Sequence, residues 1–100
     1  MATSISTNVG KQNRTGDRPQ MRSDPLWNVL LWNDQVNTRP YVVFTLQRVF
    51  GHSSDMATKL MAETEQSGKA VVATEMRELA EMHAAQLHGY GLQSTIAEVI

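Results

Sequence analysis

Apolar positions are almost absent from the first part of the chain and dense in the rest. Residues 1–23 are rich in Ser, Thr, Asn, Gly, Gln and Arg. A segment with so little to bury cannot offset its ordering entropy, so a disordered N-terminal extension is expected there, with a folded core over 24–100. Trp27-Asn28-Val29-Leu30-Leu31-Trp32 is short, apolar and β-rich, and predicts a buried strand. Turn formers from Asn33 to Thr38 interrupt it. Thr38 is placed to cap a helix over 39–49, with Pro40 in the first turn, where its missing N–H costs nothing. Tyr41, Val42, Phe44, Thr45, Leu46 and Val49 give that helix a wide apolar face, and Gly51 ends it.

Ser53 or Ser54 opens a second helix, with Asp55 at the positive end of its dipole. Met56, Ala57, Leu60, Met61 and Thr64 recur at helical spacing, and Gly68 stops the run. Ala70-Val71-Val72-Ala73 predicts a second strand. Thr74 is expected to cap a third helix over 75–88, whose inner stripe is Met76, Leu79, Ala80, His83 or Ala84, and Leu87. Gly89-Tyr90-Gly91 is the turn out, and Ser94-Thr95-Ile96 a third strand. The order is β-α-α-β-α-β. It predicts an α+β fold, a two-layer α/β sandwich in which three helices cover a three-stranded sheet.

Composition narrows the function classes. The apolar fraction is 41%, enough for one small core, and 9 basic against 10 acidic residues leave a net charge of −1. That balance gives no whole-protein field for nucleic acid or a membrane surface. Cysteine is absent, which excludes disulfides, a thiolate nucleophile and Cys-ligated zinc. No apolar run has signal-peptide or membrane-helix character, so a cytoplasmic monomer is expected.

The search for catalysis ends without a site. The serines lie mostly in the leader and at helix caps, without a triad pattern. His52, His83 and His88 are not spaced to share a helix face for zinc. The glycines form no phosphate cradle, and the methionines fall largely at core spacing. The expectation is a protein with no catalytic residues, no metal and no cofactor. What remains is the loop Asn33-Asp34-Gln35-Val36-Asn37, between a buried strand and a helix start. Its Asn and Asp residues suit turn geometry and capping, and equally a ring of acceptors for an ammonium group; pattern alone leaves both open.

At this loop the sequence resembles the ClpS family, the bacterial N-degron adaptors of the Clp protease. The segments that carry the likeness are 27–34, 41–43 with 46–51, 57–61, 68–72, 78–87 and 94–96, in family order over residues 26–97. The resemblance implies an adaptor that binds the free N-terminal residue of substrate proteins, bulky and hydrophobic (Leu, Phe, Tyr or Trp). It also implies delivery to a Clp AAA+ unfoldase through that partner's N-domain, with the leader 1–23 engaging the unfoldase pore. By position, Asn33 and Asp34 match residues at the substrate amine, with Gln35 and Glu65 beside them. Val42, Met61 and Leu92 match pocket walls, and Asn37, Arg39, Val43 and Thr64 belong to the same pocket. Glu78 and His83 stand where family members touch the unfoldase, although a basic residue is more usual than His.

The departures cluster at the pocket. The family loop commonly reads Asn-Asp-Asp-x-Thr-Pro-Met. Here Gln35 replaces the second Asp, Asn37 the Thr, Thr38 the Pro, and Arg39 the gating Met. Glu65 stands where a His helps hold the amine, and Thr64 where an apolar wall residue is usual. Glu65 can restore the counter-charge that Gln35 removed, and Arg39 can either lie over the pocket wall or pair with Glu65. The alternative reading is a divergent or engineered binder of N-terminal residues, with altered specificity and no delivery role.

Overall fold

The computed structural model describes residues 24–100. The extension expected over 1–23 lies outside the described residues. Six elements follow in order: β1 Leu26–Trp32, α1 Arg39–Phe50, α2 Ser54–Ser67, β2 Lys69–Met76, α3 Arg77–Gly89 and β3 Ser94–Glu98. The strands form one antiparallel sheet in the order β2-β1-β3. The β-α-α-β-α-β order and the two-layer α+β architecture are those the sequence predicts. Helices α2 and α3 pack on the sheet, and α1 packs chiefly on these two helices.

The local signals act where they stand. Thr38 caps α1, accepting from the Tyr41 N–H, and Ser53 caps α2, accepting from the Met56 N–H. Gly51 and Gly68 end these helices at φ 72° and 87°, left-handed conformations that a Cβ would strain. Val29 and Leu31 alternate inward along β1, and with Leu46, Ala57, Val72, Ala80, Leu87 and Leu92 they form the core.

The start of α3 departs from expectation. Thr74 is not its cap: β2 runs on to Met76, and α3 begins at Arg77 with no side-chain cap. β2 continues because Met76 still pairs with Leu26, and a bulge in the β1–β2 ladder sets which of its residues face each strand partner. Val29 faces Ala73 but Leu30 faces Val71, which leaves Val72 as the extra residue. Beyond the bulge Thr74 lies opposite Asn28 and donates its hydroxyl to Asn28 Oδ1 at 2.7 Å. Glu75, opposite Trp27, instead meets α3, where its Oε1 lies 2.8 Å from His83 Nδ1.

Two apolar faces also shift. Ala80, Ala84 and Leu87 are the buried stripe of α3, whereas Met76 and Leu79 are exposed. In α1, Thr45 and Leu46 are buried while Phe44 is half exposed. Tyr41 lies at the surface and donates its hydroxyl to the Tyr90 carbonyl at 2.6 Å.

Candidate functional site

The loop after β1 is held at three points. The Trp32 N–H donates to the Gln93 carbonyl, and the Asn33 N–H to the Gly68 carbonyl at 2.9 Å. The loop is thereby pinned to the end of α2 and to the turn before β3. Within it, Asp34 Oδ1 accepts from the N–H groups of Val36 and Asn37 at 2.8 and 3.1 Å. This is an Asx turn, the geometry for which Asn and Asp crowd such loops. Asn37 Nδ2 then donates to Asp34 Oδ2 at 3.2 Å and to the Gly91 carbonyl at 3.0 Å. The backbone donor of Asn37 lowers the Asp34 pKa from its ordinary 3.8; burial, the next largest effect, opposes it, and the Val36 donor and the Asn37 amide add to the lowering. The loop carries a fixed negative charge at neutral pH.

Beneath the loop lies a small cleft lined by Leu31, Trp32, Asn33, Asp34, Asn37, Arg39, Val42, Met61, Thr64, Glu65 and Leu92. Three elements (β1, α1 and α2) and two loops converge there, which is why its residues are scattered in sequence. Leu31, Met61 and Leu92 are buried and Val42 is half-buried, so the floor and walls are apolar. Met61, Thr64 and Glu65 come from one face of α2, at the i, i+3, i+4 spacing that makes helical neighbours. Thr64 is buried, and its hydroxyl donates to the Leu60 carbonyl at 2.8 Å. Its proton is committed to its own helix.

The rim is polar. Asn33 is exposed, and its side-chain amide makes no hydrogen bond among the described residues. Arg39 Nε donates to Glu65 Oε2 at 2.8 Å, the two side chains being 70% and 35% exposed. Of the two placements the sequence allows for Arg39, pairing with Glu65 is the one adopted. An ion pair this exposed contributes little to stability.

Nine of the pocket and amine-site residues expected from sequence thus meet at one cleft: Asn33, Asp34, Asn37, Arg39, Val42, Met61, Thr64, Glu65 and Leu92. Two do not. Gln35 belongs to a shallow depression on the outer side of the loop, shared with Asn33, Asp34, Asn37, Thr38, Arg39 and Glu65. Val43 packs against the core rather than lining the cleft, because one residue of helix turns it about 100° from Val42. Leu31 and Trp32, which the sequence presents as strand residues only, also line the cleft. Their place, one and two residues before Asn33, was the available signal. Trp32 is fixed there by a 2.8 Å bond from its Nε1 to Thr95 Oγ1 and by Lys69 Nζ 5.2 Å above its ring.

Glu78 and His83 lie away from this cleft, on α3. Glu78 is exposed in its first turn, beside Trp27, Met76 and Leu79. His83 is half-buried, held by Glu75 and packed on the Phe50 ring at 4.8 Å. Among the described residues no group of His, Asp and Glu is arranged to hold a metal ion, and no helix is long and apolar enough to cross a membrane.

The chain is similar to known proteins in sequence and fold. The family model described as "ATP-dependent Clp protease adaptor protein ClpS" matches residues 22–95. The ATP-dependent Clp protease adapter protein ClpS of Mycobacterium tuberculosis is 40% identical over 76 residues, covering 76% of this chain and 75% of that protein. That of Streptomyces coelicolor is 41% identical over 75 residues, covering 75% and 78%. Among solved structures, Agrobacterium tumefaciens ClpS2 bound to L-phenylalaninamide superposes with a TM-score of 0.70 at 29% identity, covering 76% of this chain and 99% of that one. On fold, extent and sequence, the chain belongs to the ClpS family of Clp protease adaptors.

Proposed function

We propose that this chain binds the free N-terminal residue of other proteins, of the bulky hydrophobic class, and delivers them to a Clp AAA+ unfoldase. The observation that carries the reading is the cleft itself: an apolar floor under a rim that bears two carboxylates, Asp34 and Glu65, and the exposed amide of Asn33. An N-terminal residue has the matching chemistry. Its α-ammonium, with a pKa near ~8, is mostly charged at neutral pH, and its side chain is apolar. L-Phenylalaninamide, the ligand of the Agrobacterium relative, has the same pair of features, a free amine beside an aromatic group.

In this reading Leu31, Val42, Met61 and Leu92 take the side chain, Asn33 contacts the amine, and the two carboxylates supply its counter-charge. No bond of the ligand is made or broken, so the role is that of an adaptor and needs no cofactor. Delivery falls to the exposed Glu78 side of α3, with His83 near it, docking on the unfoldase N-domain, and to the segment 1–23.

Two measurements test the two halves. Asn33→Ala should weaken binding of a Leu- or Phe-initiated peptide roughly ten-fold, the worth of a hydrogen bond to a charged group, with an unchanged melting temperature. Unchanged affinity would refute the role of Asn33. For delivery, removal of residues 1–23 should leave peptide affinity intact and slow degradation by the Clp protease. Full-rate degradation would refute that role.

A further inference from the structure

The cation at the cleft mouth is the feature that amine binding leaves unexplained. A site for an ammonium group gains nothing from a guanidinium beside it, because the two cations repel. Yet Arg39 Nε sits 2.8 Å from Glu65 Oε2, and the Arg39 side chain is 70% exposed. Its exposure places the charge at the mouth and not in the apolar floor. Only Nε is engaged among the described residues, so the terminal nitrogens of the fork face solvent with their donors unspent. That fork matches a carboxylate in two-point geometry.

Resting on the N-terminal reading above, we propose that Arg39 reads the second residue of the bound chain and favours an acidic one, Asp or Glu. The first side chain fills the cleft, and the ammonium lies between Asn33, Asp34 and Glu65. The second residue is one step of ~3.8 Å further out, which brings its side chain to the mouth where Arg39 stands. Glu65 engages the guanidinium through Nε, which leaves the rest of the fork available at the mouth. Without Arg39 the mouth would repel an acidic second residue, since Asp34 and Glu65 are both anionic there. Arg39 therefore sets the sign of the preference.

The test uses the full chain and four free-amine peptides, Leu-Glu, Leu-Gln, Leu-Lys and Glu-Leu, identical thereafter, measured by fluorescence anisotropy. Leu-Glu should bind roughly three- to five-fold tighter than Leu-Gln, as suits one exposed ion pair, and Leu-Lys weakest of the three. The preference should fade as salt is raised. In Arg39→Gln the order should invert, with Leu-Glu weaker than Leu-Gln, while Arg39→Lys keeps part of the original order. Circular dichroism reports that each variant is folded. Equal affinity for Leu-Glu and Leu-Gln, or a preference that survives Arg39→Gln, would overturn the proposal while leaving N-terminal binding standing. Tighter binding of Glu-Leu than of Leu-Glu would also overturn it, by moving the contact to the first residue. If none of the four bound, the N-terminal reading itself would fall and this inference with it.

Discussion

Asn37 Nδ2 bridges Asp34 Oδ2 at 3.2 Å and the Gly91 carbonyl at 3.0 Å, and so joins the cleft loop to the turn before β3. This amide ties the two sides of the cleft together, beside the backbone bonds of Trp32 and Asn33: the loop carries Asn33 and Asp34, and the turn carries Leu92. Asn37→Ala should therefore lower peptide affinity about five-fold while costing only ~1 kcal/mol of stability, the typical worth of a partly exposed hydrogen bond. Calorimetric titration and chemical denaturation measure the two effects. A large stability loss with unchanged affinity would mean that Asn37 serves the fold and not the cleft.

Asp34 should titrate below 3.8 in the folded protein, because the Asn37 and Val36 donors favour its ionised form. The sign follows from linkage. A carboxyl with a depressed folded pKa adds stability that is complete above its unfolded pKa and is lost as pH falls through the folded value. Below about pH 4 the advantage of the parent over Asp34→Asn should accordingly shrink. Carboxyl chemical shifts followed by NMR report the midpoint directly, and a midpoint above 3.8 would contradict the loop geometry.

Glu65→Gln should weaken a free-amine peptide with a neutral second residue about five-fold, since the change removes a carboxylate and leaves Arg39 uncompensated beside the ammonium. Arg39→Gln should act in the opposite direction on the same peptide, tightening it by a factor of about two. Melting temperatures should barely move in either variant, because the pair is largely exposed. Equal affinities in all three proteins would make the pair a bystander.

The β1–β2 bulge makes a contrast between neighbours. Glu75→Ala strips the half-buried His83 of its partner and should cost about 1–3 kcal/mol, the range for a buried group left unsatisfied. Thr74→Ala removes only the exposed bond to Asn28 and should cost less than ~1 kcal/mol. Were Thr74 a helix cap, the order would be reversed. Urea denaturation of both variants decides.

Much of the fold was legible because its signals are local. Thr38 and Ser53 cap, and Gly51 and Gly68 terminate, for reasons contained within four residues of each. The bulge at Val72 was not legible, because it is a property of two strands about forty residues apart in sequence. The same holds for the pairing of Met76 with Leu26, which makes Thr74 a strand residue and not a cap; Met76 and Leu79, expected inside, lie outside. The cleft was legible from family resemblance at Asn33, Met61 and Leu92, which no spacing rule connects. The Arg39–Glu65 pairing was legible only as one of two options, since it depends on where the start of α1 lies against the end of α2.

In the proposed function the recognised group is a free N-terminal amine, held at the Asn33, Asp34 and Glu65 rim. The most direct measurement is isothermal titration of the full chain with one Leu-initiated peptide, in free-amine and N-acetylated forms, at neutral pH. Acetylation removes the positive charge and leaves the Leu side chain intact. The free form should bind at least about ten-fold tighter, consistent with loss of a charge-assisted hydrogen bond on acetylation. Equal binding of the two forms would contradict it, leaving the cleft an apolar side-chain pocket with no interest in the chain terminus.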